Sequence, residues 1–156
     1  MQSARDTNVS IVRVSRASAT ERTICLRIRY DVFVTEQGYS AALEPDAWDD
    51  AALHYIAHRG DVAVGAARAI VDRQNASAKI GRVAVIKSAR GTGVGLALMQ
   101  AIIADEDLRN VHAFSLSAQM HAISFYEQLG FAVTGDVFEA AGAPHVLMRW
   151  SRNAID

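Results

Sequence analysis

The sequence predicts a mixed α+β fold, in which helices flank a central twisted sheet of about seven strands. Its 156 residues, 51% of them hydrophobic, suffice for one compact domain with a full core. The predicted element order, β-α-β-β-β-α-β-α-β-β, combines an antiparallel run of strands with a strand–helix–strand crossover. Because no repeat, low-complexity run or linker divides the chain, residues 1–156 are expected to form a single domain.

The first half of the chain is predicted to contain a strand, a helix and a β-hairpin. The first strand is Val9–Val14. Ser18–Glu21 has the S-x-x-E form of a capping box, so a helix should begin there and continue to about Thr35. Arg59-Gly60-Asp61 is a tight-turn signal between two apolar runs. These runs give the hairpin strands His54–His58 and Val62–Val71.

The segment between the helix and the hairpin is acidic. Residues 30–58 contain six carboxylates and neither Lys nor Arg. An unpaired acidic loop is either a solvated surface or a wall that attracts a cationic amine substrate. Its acids are Asp31, Glu36, Glu44, Asp46, Asp49 and Asp50.

The stretch from Ile80 to Gln100 joins an apolar strand to a glycine-rich turn and a helix. The strand is Ile80–Ile86, and four-residue spacing of apolar side chains predicts a helix to about Asp107. Glycines at such a junction let backbone N–H groups approach a ligand at the positive end of a helix dipole. The pattern predicts an anion site suited to a diphosphate, with a glycine turn of no chemical role as the alternative.

Two common phosphate-binding patterns do not match this turn. A P-loop needs a Lys-Ser/Thr end that is absent here, and a dinucleotide-binding turn needs the spacing G-x-G-x-x-G. The pattern that does match is [R/Q]-x-x-G-x-[G/A], with Arg90, Gly93 and Gly95 at its defined positions. It resembles the acyl-CoA signature of the GCN5-related N-acetyltransferases, the GNAT family.

The C-terminal third supplies a second, independent motif. Residues 122–131, AISFYEQLGF, resemble the A-x-x-[FL]-Y-E-x-L-G-F segment of the same family. The segments Val34–Gln37 and Gly142–His145 further resemble the ElaA-like branch. The resemblance covers nearly the whole chain and implies the GNAT fold. The remaining predicted elements are strand Val111–Leu116, helix Met120–Leu129, a strand from Phe131 to Phe138 broken at Gly135, a turn at Ala140–Pro144 and strand His145–Trp150.

The resemblance implies an N-acetyltransferase with acetyl-CoA as cosubstrate. Backbone groups of Val83 and Val85 would bond the pantetheine arm and the thioester carbonyl, and the glycine turn would wrap the diphosphate. Gln119 stands where many members have an Asn that contacts the arm. The implied cofactor-binding residues are Val83, Ala84, Val85, Arg90, Gly91, Thr92, Gly93, Val94, Gly95, Gln119 and Tyr126.

Acyl transfer to an amine also needs a proton donor and a proton acceptor. Tyr126 would stand near the thioester sulfur and protonate the leaving thiolate, a role compatible with a buried aromatic that anchors its helix. Glu139 and His145 flank one turn and could approach each other, so we interpret them as catalytic candidates beside Tyr126. Glu36 and His54 are candidates for the acceptor-substrate site and, like the other two, for the general base.

Composition argues against several other classes. A net charge of −1 without a basic cluster disfavours nucleic-acid and anionic-membrane partners, and no apolar run reaches transmembrane length. The N-terminus has no apolar leader-like segment, and the single cysteine, Cys25, excludes an internal disulfide. Flanked by Ile24 and Leu26, Cys25 is expected to pack in the core of a cytoplasmic protein. No metal-ligand spacing is present.

We therefore interpret the chain as an acetyl-CoA-dependent N-acetyltransferase of a small cationic amine or a protein amine. A non-catalytic CoA-binding sensor or partner module is the alternative from another class. Transfer of a longer acyl group also stays open. Family members are often dimers, so a homodimer is an option.

Overall fold

The computed structural model describes residues 9–14, 18–43 and 46–152, and its centre is one mixed sheet of eight strands. Among these residues, β4 and β5 form a parallel pair, and the other neighbouring strands are antiparallel. The order is β1-β2-β3-β4-β5-β8-β6, with β7 also paired to β8. The strands are β1 Ser10–Val14, β2 Leu53–Arg59, β3 Val62–Asp72, β4 Ser77–Val85, β5 Ala113–Gln119, β6 Ala132–Val133, β7 Phe138–Ala140 and β8 Ala143–Ser151.

The predicted mixed sheet is confirmed, with one difference in its last part. The broken strand expected from Phe131 to Phe138 is two separate strands, β6 and β7, and each pairs with β8. The predicted turn at Ala140–Pro144 is correspondingly shorter, because Ala140 and Ala143 already pair across the β7–β8 hairpin.

Three α-helices accompany the sheet: α1 Ala19–Arg29, α2 Val94–Ile103 and α3 Ile123–Gln128. The Ser18 hydroxyl accepts the Glu21 N–H at 3.2 Å, which confirms the predicted N-cap. A π-helical segment, Tyr30–Glu36, continues α1 to its expected end. No helix of the described ranges is long and apolar enough to cross a membrane. Short 3-10 turns occur at Ala41–Leu43, Lys87–Ala89, Glu106–Leu108 and Met120–Ala122.

Helix α2 ends at Ile103, earlier than the predicted Asp107. The reason is local, because the Asp105 carboxylate accepts the Asp107 N–H and caps the separate 3-10 turn Glu106–Leu108. Helix α3 begins three residues later than predicted, after the 3-10 turn Met120–Ala122. Both differences affect helix ends and leave the order of elements unchanged.

The core has two parts, one on each face of the sheet. Cys25 and Ile28 of α1, together with Val32 of the π-helical segment, pack against Ile56 and Ala66 of the sheet. Burial raises the pKa of the Cys25 thiol to about 11, so the predicted packing role is confirmed. On the other face lies the larger part of the core. It includes Leu98, Met99 and Ile102 of α2 together with Phe114 and Met148 of the sheet.

Helix α2 packs unusually close to the sheet at Gly65. A Cβ at this position would lie 2.9 Å from the Val94 Cγ1 atom, 3.1 Å from the Leu98 Cδ1 atom and 3.2 Å from the Ala84 carbonyl oxygen. A methyl group does not fit at such distances. The spacing between α2 and β3 therefore depends on the missing side chain.

The parallel strands β4 and β5 diverge, and this positions the functional site. They pair only from Ser77 to Lys79, and beyond this point none of the described strands pairs with the β5-facing edge of β4. The β3–β4 register shifts at the same place, and Arg82 has a φ of +49°. An irregularity of this kind bends a strand and re-aims its side chains. The result is an open cleft in the middle of the sheet.

Candidate active site

A cavity of about 940 Å³ occupies the cleft between β4 and β5. The end of the α1 segment, the turn before α2, the start of α3 and the β7–β8 hairpin complete its walls. Most of the residues predicted from the sequence line this one cavity. They are Val83, Val85, Arg90, Gly91, Gly93, Val94, Gly95, Gln119, Tyr126 and His145.

Two predicted cofactor residues do not present side chains to the cavity. Ala84 is buried in the α1-side core, so only its backbone is placed for a contact. The Thr92 hydroxyl donates to the Ala89 carbonyl oxygen and accepts from the Arg59 guanidinium at 3.0 Å. Thr92 thus stabilises the fold of the turn.

The glycine turn has the backbone conformation that its sequence predicts. Gly91 and Gly93 have φ values of +74° and +92°, in the left-handed region that favours glycine. Gly93 is the N-cap of α2 and provides no side chain to cap it. The N–H groups of Val94, Gly95 and Leu96 have no acceptor among the described residues. These donors, together with the positive end of the helix dipole, are suited to bind an anion.

Arg90 begins this turn and is held by two contacts. Its Nε–H donates to the Val85 carbonyl oxygen at 3.0 Å, and its two terminal nitrogens donate to the Glu36 carboxylate. The Arg90 guanidinium keeps the pKa of Glu36 below its usual range. Glu36 does not line the cavity. The structure therefore assigns Glu36 to the orientation of Arg90, and the sequence-based interpretation of Glu36 as part of an open substrate wall is wrong.

Tyr126 is nearly buried and faces the cavity from α3. Its ring packs edge-to-face against Phe125 and Phe131, with centroid distances of 5.0 and 6.0 Å. No described residue forms a hydrogen bond with the hydroxyl, and burial raises the pKa of Tyr126 to about 12. At neutral pH the phenol is protonated and able to donate.

Gln119 connects the two sides of the cavity entrance. Its amide nitrogen donates to the Gln37 side-chain oxygen at 2.9 Å and to the Tyr39 hydroxyl at 3.2 Å. Gln37 and Tyr39 also line the cavity. The sequence did not indicate this contact, because Gln119 on β5 is 82 residues from Gln37 and 80 residues from Tyr39.

His145 and Glu139 lie on opposite faces of the β7–β8 hairpin. His145 pairs with Phe138, and their rings stack with a centroid distance of 6.1 Å, whereas Glu139 pairs with Pro144. Because side chains alternate along a strand, Glu139 points away from His145. Glu139 is exposed and does not line the cavity. The expectation that these two residues approach each other is therefore wrong.

His145 keeps one ring nitrogen available. It is 8% exposed, and its Nδ1 lies 2.9 Å from the Ala143 carbonyl oxygen. Since a carbonyl only accepts, Nδ1 carries the proton in this bond. The lone pair of the neutral ring is then on Nε2.

Asp46 and Asp49 of the acidic segment pair with arginines from outside it, and this corrects the expectation of an unpaired acidic loop. Glu44 of the same segment lies outside the described residues. Asp49 is 3% exposed and accepts from Arg29 at 2.8 and 3.1 Å and from Arg68 at 2.9 Å. Burial acts to raise the pKa of Asp49, but the bonds from Arg29, Asp46 N–H and Arg68 lower it below its usual range. Asp46 accepts from Arg68 at 2.6 and 2.8 Å and from Arg82 at 3.0 Å.

His54 belongs to this buried network and does not line the cavity. It is 6% exposed, and its Nε2 lies 2.8 Å from the Asp49 carbonyl oxygen. Burial lowers the pKa of His54. The predicted acceptor-site role of His54 is therefore replaced by a structural one.

The charged residues lining the cavity are all basic: Arg68, Lys79, Arg82 and Arg90. Within residues 9–14, 18–43 and 46–152, no Asp or Glu lines it. No group of three or more His, Cys, Asp or Glu suited to a metal occurs in the same ranges. The cavity thus offers backbone donors, guanidinium and ammonium groups, the phenols of Tyr39 and Tyr126, and the imidazoles of His121 and His145.

Comparison with known families decides the identity of this fold. A family model described as an acetyltransferase (GNAT) domain matches residues 15–152. The chain belongs to the GNAT family of acetyltransferases. It is 34% identical over 122 residues to the uncharacterized N-acetyltransferase YjcF of Bacillus subtilis (strain 168), covering 78% of this chain and 86% of YjcF.

The relatives of this GNAT domain include ElaA of Escherichia coli (strain K12). The identity is 30% over 140 residues, which cover 86% of this chain and 90% of ElaA. The ElaA crystal structure superimposes with a TM-score of 0.79 over 92% of this chain and all of ElaA, at 27% identity. The predicted family, fold and ElaA-like branch are confirmed, and this GNAT domain is an acyltransferase.

More distant GNAT structures share the fold alone. One is a GNAT family acetyltransferase from Elizabethkingia anophelis with acetyl-CoA bound. Its TM-score is 0.69 at 14% identity, over 93% of this chain and 99% of that protein.

Proposed function

We propose that this GNAT domain transfers an acetyl group from acetyl-CoA directly to an amine nitrogen. The observation that carries the proposal is that one cavity contains both an uncapped helix N-terminus, at Gly93–Leu96, and the phenol of Tyr126. The first group suits the diphosphate of the cofactor, and the second suits its leaving thiolate. The acetyl-CoA bound to the Elizabethkingia protein of the same fold supports this choice of cosubstrate.

Two features of the chain would bind the cofactor. The N–H groups of Val94, Gly95 and Leu96 would donate to the diphosphate, with Arg90 adjacent. No described strand pairs with the β5-facing edge of β4 beyond Lys79, so its peptide groups, apart from the Val85 carbonyl that accepts from Arg90, are available to the amide-containing pantetheine arm. Val83 and Val85 line the cavity along this edge.

The reaction would proceed by direct attack. The amine lone pair forms a C–N bond to the thioester carbonyl carbon, and the C–S bond then breaks to release the thiolate. Tyr126 donates its phenolic proton to that sulfur. Holding the two reactants in one cavity removes up to ~7–11 kcal/mol of entropic barrier in favourable cases.

Of the four general-base candidates predicted from the sequence, His145 is the one that lines the cavity and can accept the proton that the amine loses. Its Nδ1–H is engaged with the Ala143 carbonyl oxygen, so Nε2 has the free lone pair. Glu36, His54 and Glu139 do not line the cavity. His145 would accept the proton directly or through one water molecule.

Calorimetric titration with acetyl-CoA, followed by a thiol-release assay with an amine panel, tests the proposal. We expect binding and amine-dependent release of one thiol per amide formed. Binding without release from any amine would favour the non-catalytic sensor, and absence of binding would refute the cofactor assignment.

The variant Gly93→Val makes this test specific to the turn. A β-branched residue is strained at a φ of +92°, so we expect acetyl-CoA affinity to fall at least tenfold. Gly135→Val is the matched control, because a Cβ at Gly135 meets no atom within 4 Å and its φ lies outside the left-handed region. Equal affinity of the two variants, both folded by thermal melting, would contradict the role of the turn.

A further inference from the structure

The cavity has a second cationic region, separate from the glycine turn. It is formed by Arg68 on β3 and by Lys79 at the start of β4, with Arg82 nearby. Gly81 pairs with Arg68 in the sheet. It is four residues before Val85 on β4, and four residues of an extended strand span about 13 Å. The region is therefore too far from the turn to serve the same diphosphate.

Arg68 has hydrogen-bonding capacity that the protein leaves unused. Its side chain is 6% exposed, and three N–H groups are engaged: two on Nη1, to Asp46 and Asp49, and one on Nη2, to Asp46. A guanidinium carries five such donors. The Nε–H has no partner among the described residues. It and the remaining Nη2–H form one edge of the planar group, the fork that binds a carboxylate with two parallel hydrogen bonds.

The sheet leaves space next to this fork. Gly81 is paired with Arg68 across β3 and β4, and a Cβ at Gly81 would lie 3.8 Å from the Arg68 Nε atom. Both Gly81 and Arg68 line the cavity. A side chain at position 81 would contact the buried Arg68 Nε atom and take up the space beside it.

The charged side chains that line this region of the cavity are cationic. Arg68 and Arg82 line it while paired with Asp46, and neither Asp46 nor Asp49 lines the cavity. Lys79 also lines it and forms no ion pair with a described residue. Such a region repels a cationic substrate and attracts an anionic group.

From this geometry we propose that the acceptor is a small amine that also carries a carboxylate, as in an amino acid. Its carboxylate binds the free fork of Arg68 and the Lys79 ammonium, and its amine faces the thioester near Val83, two residues along β4 from Gly81. The carboxylate is unchanged by the reaction. The inference rests on the proposed function and replaces the cationic amine expected from the sequence.

The test compares matched acceptors in the thiol-release assay. The acceptors form two series, one based on L-phenylalanine and one on L-lysine. Each series contains the amino acid and two comparators: its amide, whose amino group is less basic, and the decarboxylated amine, whose amino group is more basic. We expect that, in at least one series, kcat/KM is at least tenfold higher for the amino acid than for either comparator. Equal or better use of the comparators in both series would overturn the proposal.

Two variants locate the effect. Lys79→Gln and Gly81→Ala should each raise KM for the carboxylated acceptor by about tenfold, the loss of one charge-assisted hydrogen bond. Neither should change KM for the comparators or for acetyl-CoA. Arg27→Gln is the matched control, because Arg27 is exposed on α1 and does not line the cavity. A loss common to all acceptors, or equal to that in Arg27→Gln, would overturn the assignment.

The outcomes also separate this inference from the proposed function. If acetyl-CoA does not bind in calorimetry, the cofactor assignment and the acceptor inference both fail. If acetyl-CoA binds and only uncarboxylated amines release thiol, the acetyltransferase proposal stands and the acceptor inference fails. Binding without release from any carboxylated amine also refutes the inference.

Discussion

Replacing Asp49 with asparagine should strongly destabilise the fold. Asp49 and Arg29 are 3% and 1% exposed in their side chains, and the Asp49 carboxylate accepts two bonds from Arg29, one from Arg68 and one from the Asp46 N–H. Asparagine has the same shape, but it removes the charge that compensates two buried guanidinium groups. Removal of one partner from a buried ion pair typically costs about 3–5 kcal/mol.

The assay is chemical and thermal unfolding at neutral pH. For a chain of this size, each kcal/mol lowers Tm by roughly 2–4 °C, so Tm should fall by about 6–20 °C. The matched control is Asp50→Asn, because Asp50 pairs with Arg22 at 3.2 Å but its side chain is 93% exposed. We expect that control to unfold at nearly the wild-type temperature. An Asp49→Asn variant as stable as Asp50→Asn would refute the view that Asp49 is a buried, charge-paired part of the fold.

Three further predictions concern pH dependence and catalysis. The folded-state pKa of Asp49 lies below its unfolded value, so its stabilisation is present above about pH 4 and is lost at lower pH; the stability difference between wild type and Asp49→Asn should narrow as the pH falls below 4. Tyr126→Phe should lower kcat at least tenfold with acetyl-CoA affinity unchanged, and Tyr30→Phe, at an exposed position, should retain the wild-type rate. His145→Asn keeps a donor for the Ala143 carbonyl but removes the base, so kcat should fall about 100-fold, unlike that of the exposed control His112→Asn; an unchanged rate would exclude His145 from proton transfer.

The sequence was most informative where the site is built from neighbouring residues. The strand, the glycine turn and the start of α2 are contiguous, and φ values above +70° at Gly91 and Gly93 are what a tight turn before a helix requires. The capping box at Ser18 is another short-range pattern, and the structure contains the bond that it predicts. Such features depend on local geometry, so residue order alone reveals them.

The acceptor side could not be predicted in the same way. The acidic segment contains neither Lys nor Arg, but its partners Arg29 and Arg68 come from α1 and from β3, 20 and 19 residues from Asp49. Only the packing of α1 on the sheet brings these charges together. Likewise, the separation of Glu139 from His145 follows from a hairpin register that is set by a short loop.

The missing side chain at Gly65 has a consequence for affinity. The gap between α2 and β3 at Gly65 is too small for a methyl group. The atom nearest to a Cβ at this position would be Cγ1 of Val94, the first residue of α2. The N–H groups proposed to bind the diphosphate are on that same first turn. Their position relative to β4 therefore depends on Gly65, which does not line the cavity. Enlarging residue 65 would move the two halves of the proposed cofactor site relative to each other without changing any residue proposed to contact the ligand.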